Sequence, residues 1–222
     1  MDTHATKNIE AVAESIQWFG QAAIKIMNCG KVIYIDPYQL KETDKADLIL
    51  ITHSHFDHYS PDDLKKIVAT NTWIFCPEDI ADEVKQLGAA KVIAVKPGFM
   101  DEWSGIEIHA VPMYNISKSD KHPKSKNWVG YLLNLCNVWL YHAGDTERIP
   151  EMKDIKTDII LLPLGQTYTM NSVEDAAESV LDTGASVAIP IHYGMYEGSE
   201  SDVEKFKELL KDKVEVILLQ KG

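Results

Sequence analysis

Cysteine is scarce in this chain. Its 222 residues hold three, Cys29, Cys76 and Cys136, with no repeated spacing. An odd, sparse set argues against a disulfide framework and favours a reducing compartment. Long apolar runs are missing too. None approaches the roughly 18 residues of a membrane-spanning helix, so no membrane partner is expected. Positive charge is short: 22 Lys and Arg against 34 Asp and Glu, a formal net charge of −12. Nucleic-acid binding needs Lys and Arg to neutralise phosphates, so it is disfavoured. Residues 1–14 are polar and carry no apolar signal-peptide core, so they are expected to be a loose lead-in. A cytoplasmic protein acting on a small molecule is what these absences leave.

The balance of 45% hydrophobic and 25% charged residues is that of a globular chain with a sizeable core. One α/β domain over residues 1–222 is expected, since no linker or low-complexity tract divides it. Residues 17–27 read as strand. Asn28-Cys29-Gly30 is a turn, and 31–37 a second strand. A helix is expected from Pro61 to Ala69, a strand at 72–77, and a helical pattern from Pro77 to Leu87 that stops at Gly88. Strands follow at 92–95 and 106–112. The second half repeats the order: a hairpin around Cys136-Asn137, strands at 159–163 and 187–192, helices at 172–181 and 201–210, and a last strand at 214–219. Two central sheets with helices outside account for this order.

The segment 52–59 carries the chemistry. It reads His53-x-His55-x-Asp57-His58 directly after the apolar run 47–51. Three imidazoles and a carboxylate so close are costly to pack unless a cation sits between them. Imidazole with carboxylate suits Zn, Mn or Fe better than Ca or Mg. Four donors exceed what one tetrahedral centre takes while keeping a position open, so two adjacent metals are expected. On an extended chain His53 and His55 share a face and could bind one metal. A turn would swing Asp57 and His58 toward a second. Ser60-Pro61-Asp62-Asp63 supplies the helix start that ends this loop.

Further donors stand where strands end, which is where ligands bind in open α/β sheets. Asp145, after Gly144, has two oxygens and could bridge two metals. His192 closes the 187–192 strand and is taken as a ligand. His142, three residues before Asp145, is better read as a core or supporting residue. Asn115 could reach the site through its amide oxygen. Four lysines, Lys118, Lys121, Lys124 and Lys126, crowd the next loop with His122. They suggest a mobile basic flap over an anionic substrate, with His122 completing a metal site or acting on the substrate.

In series, His53-x-His55-x-Asp57-His58, Gly144-Asp145 and Ile191-His192 resemble the metallo-β-lactamase superfamily. The phrases Asp36-Pro37, 111–115, 142–146 and 164–170 look like its small stand-alone hydrolases, akin to the ascorbate-6-phosphate lactonase-like branch. The resemblance covers the chain from about Gln17 onward. It implies a four-layer αββα sandwich with a dinuclear site at one edge. It also implies His53 and His55 on the first metal, Asp57, His58 and His192 on the second, and Asp145 bridging. One departure concerns the third His of the first metal, usually supplied by the strand that here ends at Asn115. Asn115 substitutes, His122 swings in, or the first metal is held weakly.

The expected activity is hydrolysis of an ester, lactone or phosphodiester in a small anionic metabolite. The nucleophile would be a water whose pKa two metals lower to about 7, with Asp57 as catalytic residue. The competing reading is a metal-binding or sensing protein that no longer catalyses. Aromatics such as Trp103 or Tyr196 would serve an interface if exposed in a homo-oligomer, and burial in the core is an equal alternative.

Overall fold

The computed structural model describes residues 3–41 and 43–222. Residues 3–14, expected to be a loose lead-in, form helix α1 (Thr3–Glu14), while residues 1 and 2 lie outside the described residues. Val12 and Ala13 are buried and Ile9 packs against the same core. Spaced three and four apart, these residues make a helical stripe that the polar composition around them masks.

Six strands form the first sheet, in the order β1 (Ile16–Gly20), β2 (Ala23–Asn28), β3 (Lys31–Ile35), β4 (Leu48–Leu50), β5 (Trp73–Pro77), β6 (Lys91–Val95). The stretch read as one strand over 17–27 is a hairpin, because the chain turns at Gln21 with φ of +46°. The second sheet has seven strands, β7 (Met100–Trp103), β8 (Ile106–Pro112), β9 (Val129–Leu135), β10 (Val138–His142), β11 (Ile159–Pro163), β12 (Val187–Ile191) and β13 (Glu215–Val216), in reverse spatial order. β7 was not expected: Met100-Asp101-Glu102 is an exposed edge and lacks an apolar pattern. The final strand is cut to two residues.

Helix α2 (Pro61–Ile67) starts as its sequence dictates, with Ser60 capping the Asp63 N–H. The helical pattern at 77–87 resolves into α3 (Ala81–Val84) between two short 3-10 turns, and Gly88 ends it at φ +78°. Leu64, Ile67, Ala81 and Val84 cover the outer face of the first sheet, against Tyr34, Ile49 and Ile74. Across the second sheet lie α4 (Val173–Thr183) and α5 (Glu200–Leu210). Strands β11 and β12 are buried at every position, as a sheet covered on both faces requires. The result is an αββα sandwich.

One expectation needs correction. Cys29 and Cys136 are joined by a disulfide, with Cα atoms 6.3 Å apart. They sit at the tips of the β2–β3 and β9–β10 hairpins, 107 residues apart in sequence, which spacing alone does not reveal. Of the two aromatics left open between interface and core, Trp103 is buried at 8% exposure and Tyr196 is exposed.

Candidate metal centre

The loop after β4 builds half of the centre. Tyr59 N–H donates to the His55 carbonyl at 2.8 Å, and that turn brings Asp57 and His58 back toward His53. His53 Nε2 lies 3.0 Å from His55 Nδ1. Two nitrogens on a tetrahedral zinc, at bonds of 2.0–2.1 Å, would stand about 3.3 Å apart. The second sheet supplies the other half: Asp145 follows β10 and His192 follows β12. Strand ends from both sheets thus meet at one edge.

Three sets of donors converge there among the described residues: His53, His55 and His122; His53, His58 and Asp145; and Asp57, His58 and His192. Asp145 lies among them. Its Oδ2 is 3.1 Å from His192 Nε2, 3.3 Å from His58 Nε2 and 3.5 Å from His122 Nε2. The structure therefore puts His122 beside His53 and His55. Asn115 points elsewhere: its Oδ1 accepts from Glu147 N–H at 3.0 Å, and its Nδ2 donates to the Tyr168 carbonyl at 2.7 Å. Asn115 instead holds the loop, its N–H donating to the His122 carbonyl at 2.8 Å. His142 faces away into the core, with Nε2 3.0 Å from the Ala22 carbonyl and Nδ1 accepting from Gly144 N–H.

Carboxylates that the sequence reading did not assign fix the rings. Asp36 Oδ2 lies 2.7 Å from His58 Nδ1, and its Oδ1 accepts from Thr52 N–H at 2.8 Å. Glu197 Oε1 lies 2.9 Å from His192 Nδ1. Such partners place the proton on Nδ1 and aim Nε2 at the centre. Asp36 carried a faint signal, a carboxylate at a strand end before Pro37. Glu197 carried none, being one acid in a polar turn.

The electrostatics separate the donors into two groups. Burial depresses His53, His55 and His122, the last to about 4, so these imidazoles are neutral and ready to ligate. Burial also acts against a charged His58, but Asp145 and Asp36 outweigh it and push the ring up to about 10. His192 is raised by Asp145, Asp57 and Glu197 against the same burial. Burial works against an ionised Asp57, yet the His192 hydrogen bond and the His58 charge bring it down to about 2. Asp145 is likewise held ionised by His192 and His58 despite burial. Protons on His58 and His192 thus do part of what a cation would do. His122 Nε2 and Asp145 Oδ1 are buried without a hydrogen-bonding partner among the described residues. Nitrogen and oxygen donors converging with unused lone pairs fit a divalent metal.

The centre floors a cavity of about 370 Å³ lined by Phe56, Lys121, Tyr168 and Tyr196 along with the ligand candidates. Of the four loop lysines only Lys121 lines it. Lys118 is spent on the Met170 carbonyl and Asn171, Lys124 on Glu151, and Lys126 lies near Asp79. The loop is pinned: Glu147 accepts from the backbone N–H groups of Ile116, Ser117 and Lys118. A free basic flap is not what forms.

Residues 15–192 match the family model described as the beta-lactamase superfamily domain. A protein named UPF0173 metal-dependent hydrolase from Thermococcus onnurineus is 34% identical, the alignment covering 93% of this chain and 96% of that one. A namesake from Methanopyrus kandleri is 33% identical over 93% and 97% of the two chains. A solved structure from Parabacteroides distasonis superposes with a TM-score of 0.79 at 33% identity, covering 92% and 93%. A metallo hydrolase from Ignicoccus hospitalis shares the fold, with a TM-score of 0.76 at 23% identity over 93% and 95%. A carboxylate at the meeting point of three histidine clusters, on this sandwich and with these relatives, has one home: the chain belongs to the metallo-β-lactamase superfamily, among its metal-dependent hydrolases.

Proposed function

We propose that the chain hydrolyses an ester, lactone or phosphodiester bond in a small anionic metabolite, using two divalent cations, zinc in the first instance with Mn or Fe as alternatives. The observation that carries this reading is the position of Asp145. Its Oδ2 stands within 3.5 Å of imidazole nitrogens on His58, His122 and His192, where a carboxylate could serve two cations at once. His53, His55 and His122 would hold the first, and Asp57, His58 and His192 the second. When bound, such cations polarise a carbonyl or phosphoryl oxygen and lower the pKa of water to about 7.

The chain's own residues do the rest. Asp57, ionised at neutral pH, lines the cavity and would orient the attacking water and take its proton. Lys121 supplies the positive charge for an anionic group. Phe56, Tyr168 and Tyr196 offer apolar walls that shield the reacting bond from bulk water. The sensing alternative rests on the absent third histidine, and the proximity of His122 to His53 and His55 weighs against it. The chain is taken as one domain acting in the cytoplasm on a soluble substrate.

The experiment is elemental analysis of protein purified without chelator, followed by a hydrolase screen over phosphodiesters and lactones. About two equivalents of Zn or Mn per chain are expected. One equivalent or none after reloading would defeat the dinuclear reading. Asp57→Ala should remove nearly all turnover, and near wild-type rates in that variant would defeat its catalytic role.

A further inference from the structure

Gln21 enters the centre from the β1–β2 turn, a place no metal motif marks. The residue is fully buried. Its backbone is gripped on two sides: the carbonyl accepts from His192 N–H at 2.9 Å and from Trp18 Nε1 at 2.8 Å. It holds a left-handed φ of +46°, a conformation L-residues keep only where the surroundings impose it. That grip sets the side chain against two of the three donors assigned to the second cation. Nε2 lies 3.1 Å from Asp57 Oδ2 and 3.0 Å from His192 Nε2. Oε1 is buried with no partner among the described residues.

One amide atom of Gln21 thus stands beside an oxygen of Asp57 and a nitrogen of His192, both assigned to the second cation. Turning the amide over about its last torsion exchanges Nε2 and Oε1, so the oxygen can take that position. There it would face the Asp57 carboxylate unless a cation held by Asp57 and His192 made it one more donor. The spacing agrees, since 3.0 and 3.1 Å are close to the roughly 3.3 Å between ligand atoms on a tetrahedral zinc.

We propose that Gln21 is a further ligand of the second cation, donating its amide oxygen alongside Asp57, His58 and His192. The inference rests on the dinuclear reading above. Its chemistry distinguishes the two positions: three imidazoles hold the first cation, while the second gains an oxygen-richer set better suited to exchange between Zn and Mn.

The test uses Gln21→Leu, which keeps the bulk and removes the oxygen, and Gln21→Glu, which keeps an oxygen and adds charge. Zinc affinity is read by competition with a chromophoric chelator, and the ligand field by the visible spectrum of cobalt added one equivalent at a time. The expected result for Gln21→Leu is a first equivalent bound as in the wild type. Its second should be at least about tenfold weaker, with an altered cobalt spectrum. Gln21→Glu should keep the second equivalent with equal or higher affinity. A wild-type second equivalent and spectrum in Gln21→Leu would overturn the proposal and leave the hydrolase reading standing. So would loss of both equivalents in Gln21→Leu, because a general collapse of the site is not loss of one donor. A wild-type chain that takes up only one equivalent would defeat the dinuclear reading itself.

Discussion

His192 Nδ1 lies 2.9 Å from Glu197 Oε1, and the same carboxylate accepts hydrogen bonds from Thr167 N–H, Tyr168 N–H and Thr169 Oγ1. One side chain therefore fixes a metal-ligand candidate and folds the loop that brings Tyr168 to the cavity. Glu197→Ala should weaken binding at the second position by about 10- to 100-fold, and Glu197→Gln by less, since it keeps one acceptor. Gly165→Ala should mimic Glu197→Ala without touching a ligand, because its Cβ would fall 1.8 Å from Glu197 Cδ. Chelator competition on the three variants is the check. Wild-type affinity in Glu197→Ala would show that His192 needs no such orientation.

The cavity lysine is separable from its neighbours. Lys121 sits at the lining, 3.0 Å from Asp120, with a side chain 46% exposed. An exposed charge of this kind is worth up to about 1 kcal/mol, so Lys121→Ala should raise KM for an anionic substrate about fivefold and leave kcat nearly unchanged. Lys124→Ala and Lys126→Ala should leave KM unchanged, since those ammonium groups face Glu151 and Asp79. Steady-state kinetics on the three variants decides this. An unchanged KM in Lys121→Ala would remove the anionic-substrate argument.

Stability of the metal-stripped protein should have a maximum in pH. His58 has a folded pKa raised to about 10, so its contribution is complete below the ordinary value of about 6.5 and is lost as pH rises through about 10. His192 acts in the same direction. His122 is lowered to about 4, so below about 6.5 the unfolded chain binds the extra proton, and stability falls as pH drops toward about 4. Thermal melts from pH 4 to 10 should therefore peak near about 6.5. Zinc should flatten the alkaline limb, because a cation replaces the protons on His58 and His192. A stripped protein with no alkaline decline would contradict this account.

Most of the fold is written in short-range patterns. The apolar run at 159–163 reads as a buried strand and is one, and the strand read at 187–192 forms over 187–191. Ser60-Pro61 and Ser172 start helices where their side chains cap them. The centre is only partly legible. His53 to His58 announce themselves because their spacing is local. Asp36 and Gln21 do not, because each meets its imidazole across 22 or 171 positions. Glu197 is only five positions from His192, but it is one acid in a polar turn with no motif to mark it. The loop at 117–126 misled for a related reason. Its charge was conspicuous, whereas the buried Glu147 that pins it comes from 29 positions or more beyond.

The Cys29–Cys136 link bears on how the sandwich holds together. It joins the hairpin tips that precede β3 and β10, the same strands that lead at their far ends to Asp36 and Asp145. The two sheets are thus fastened at opposite ends, covalently at one and by converging charged side chains at the other. Loss of bound metal would relax one end while the other keeps the sheets in register. Metal exchange at this centre would then be a local event that does not require the domain to reassemble.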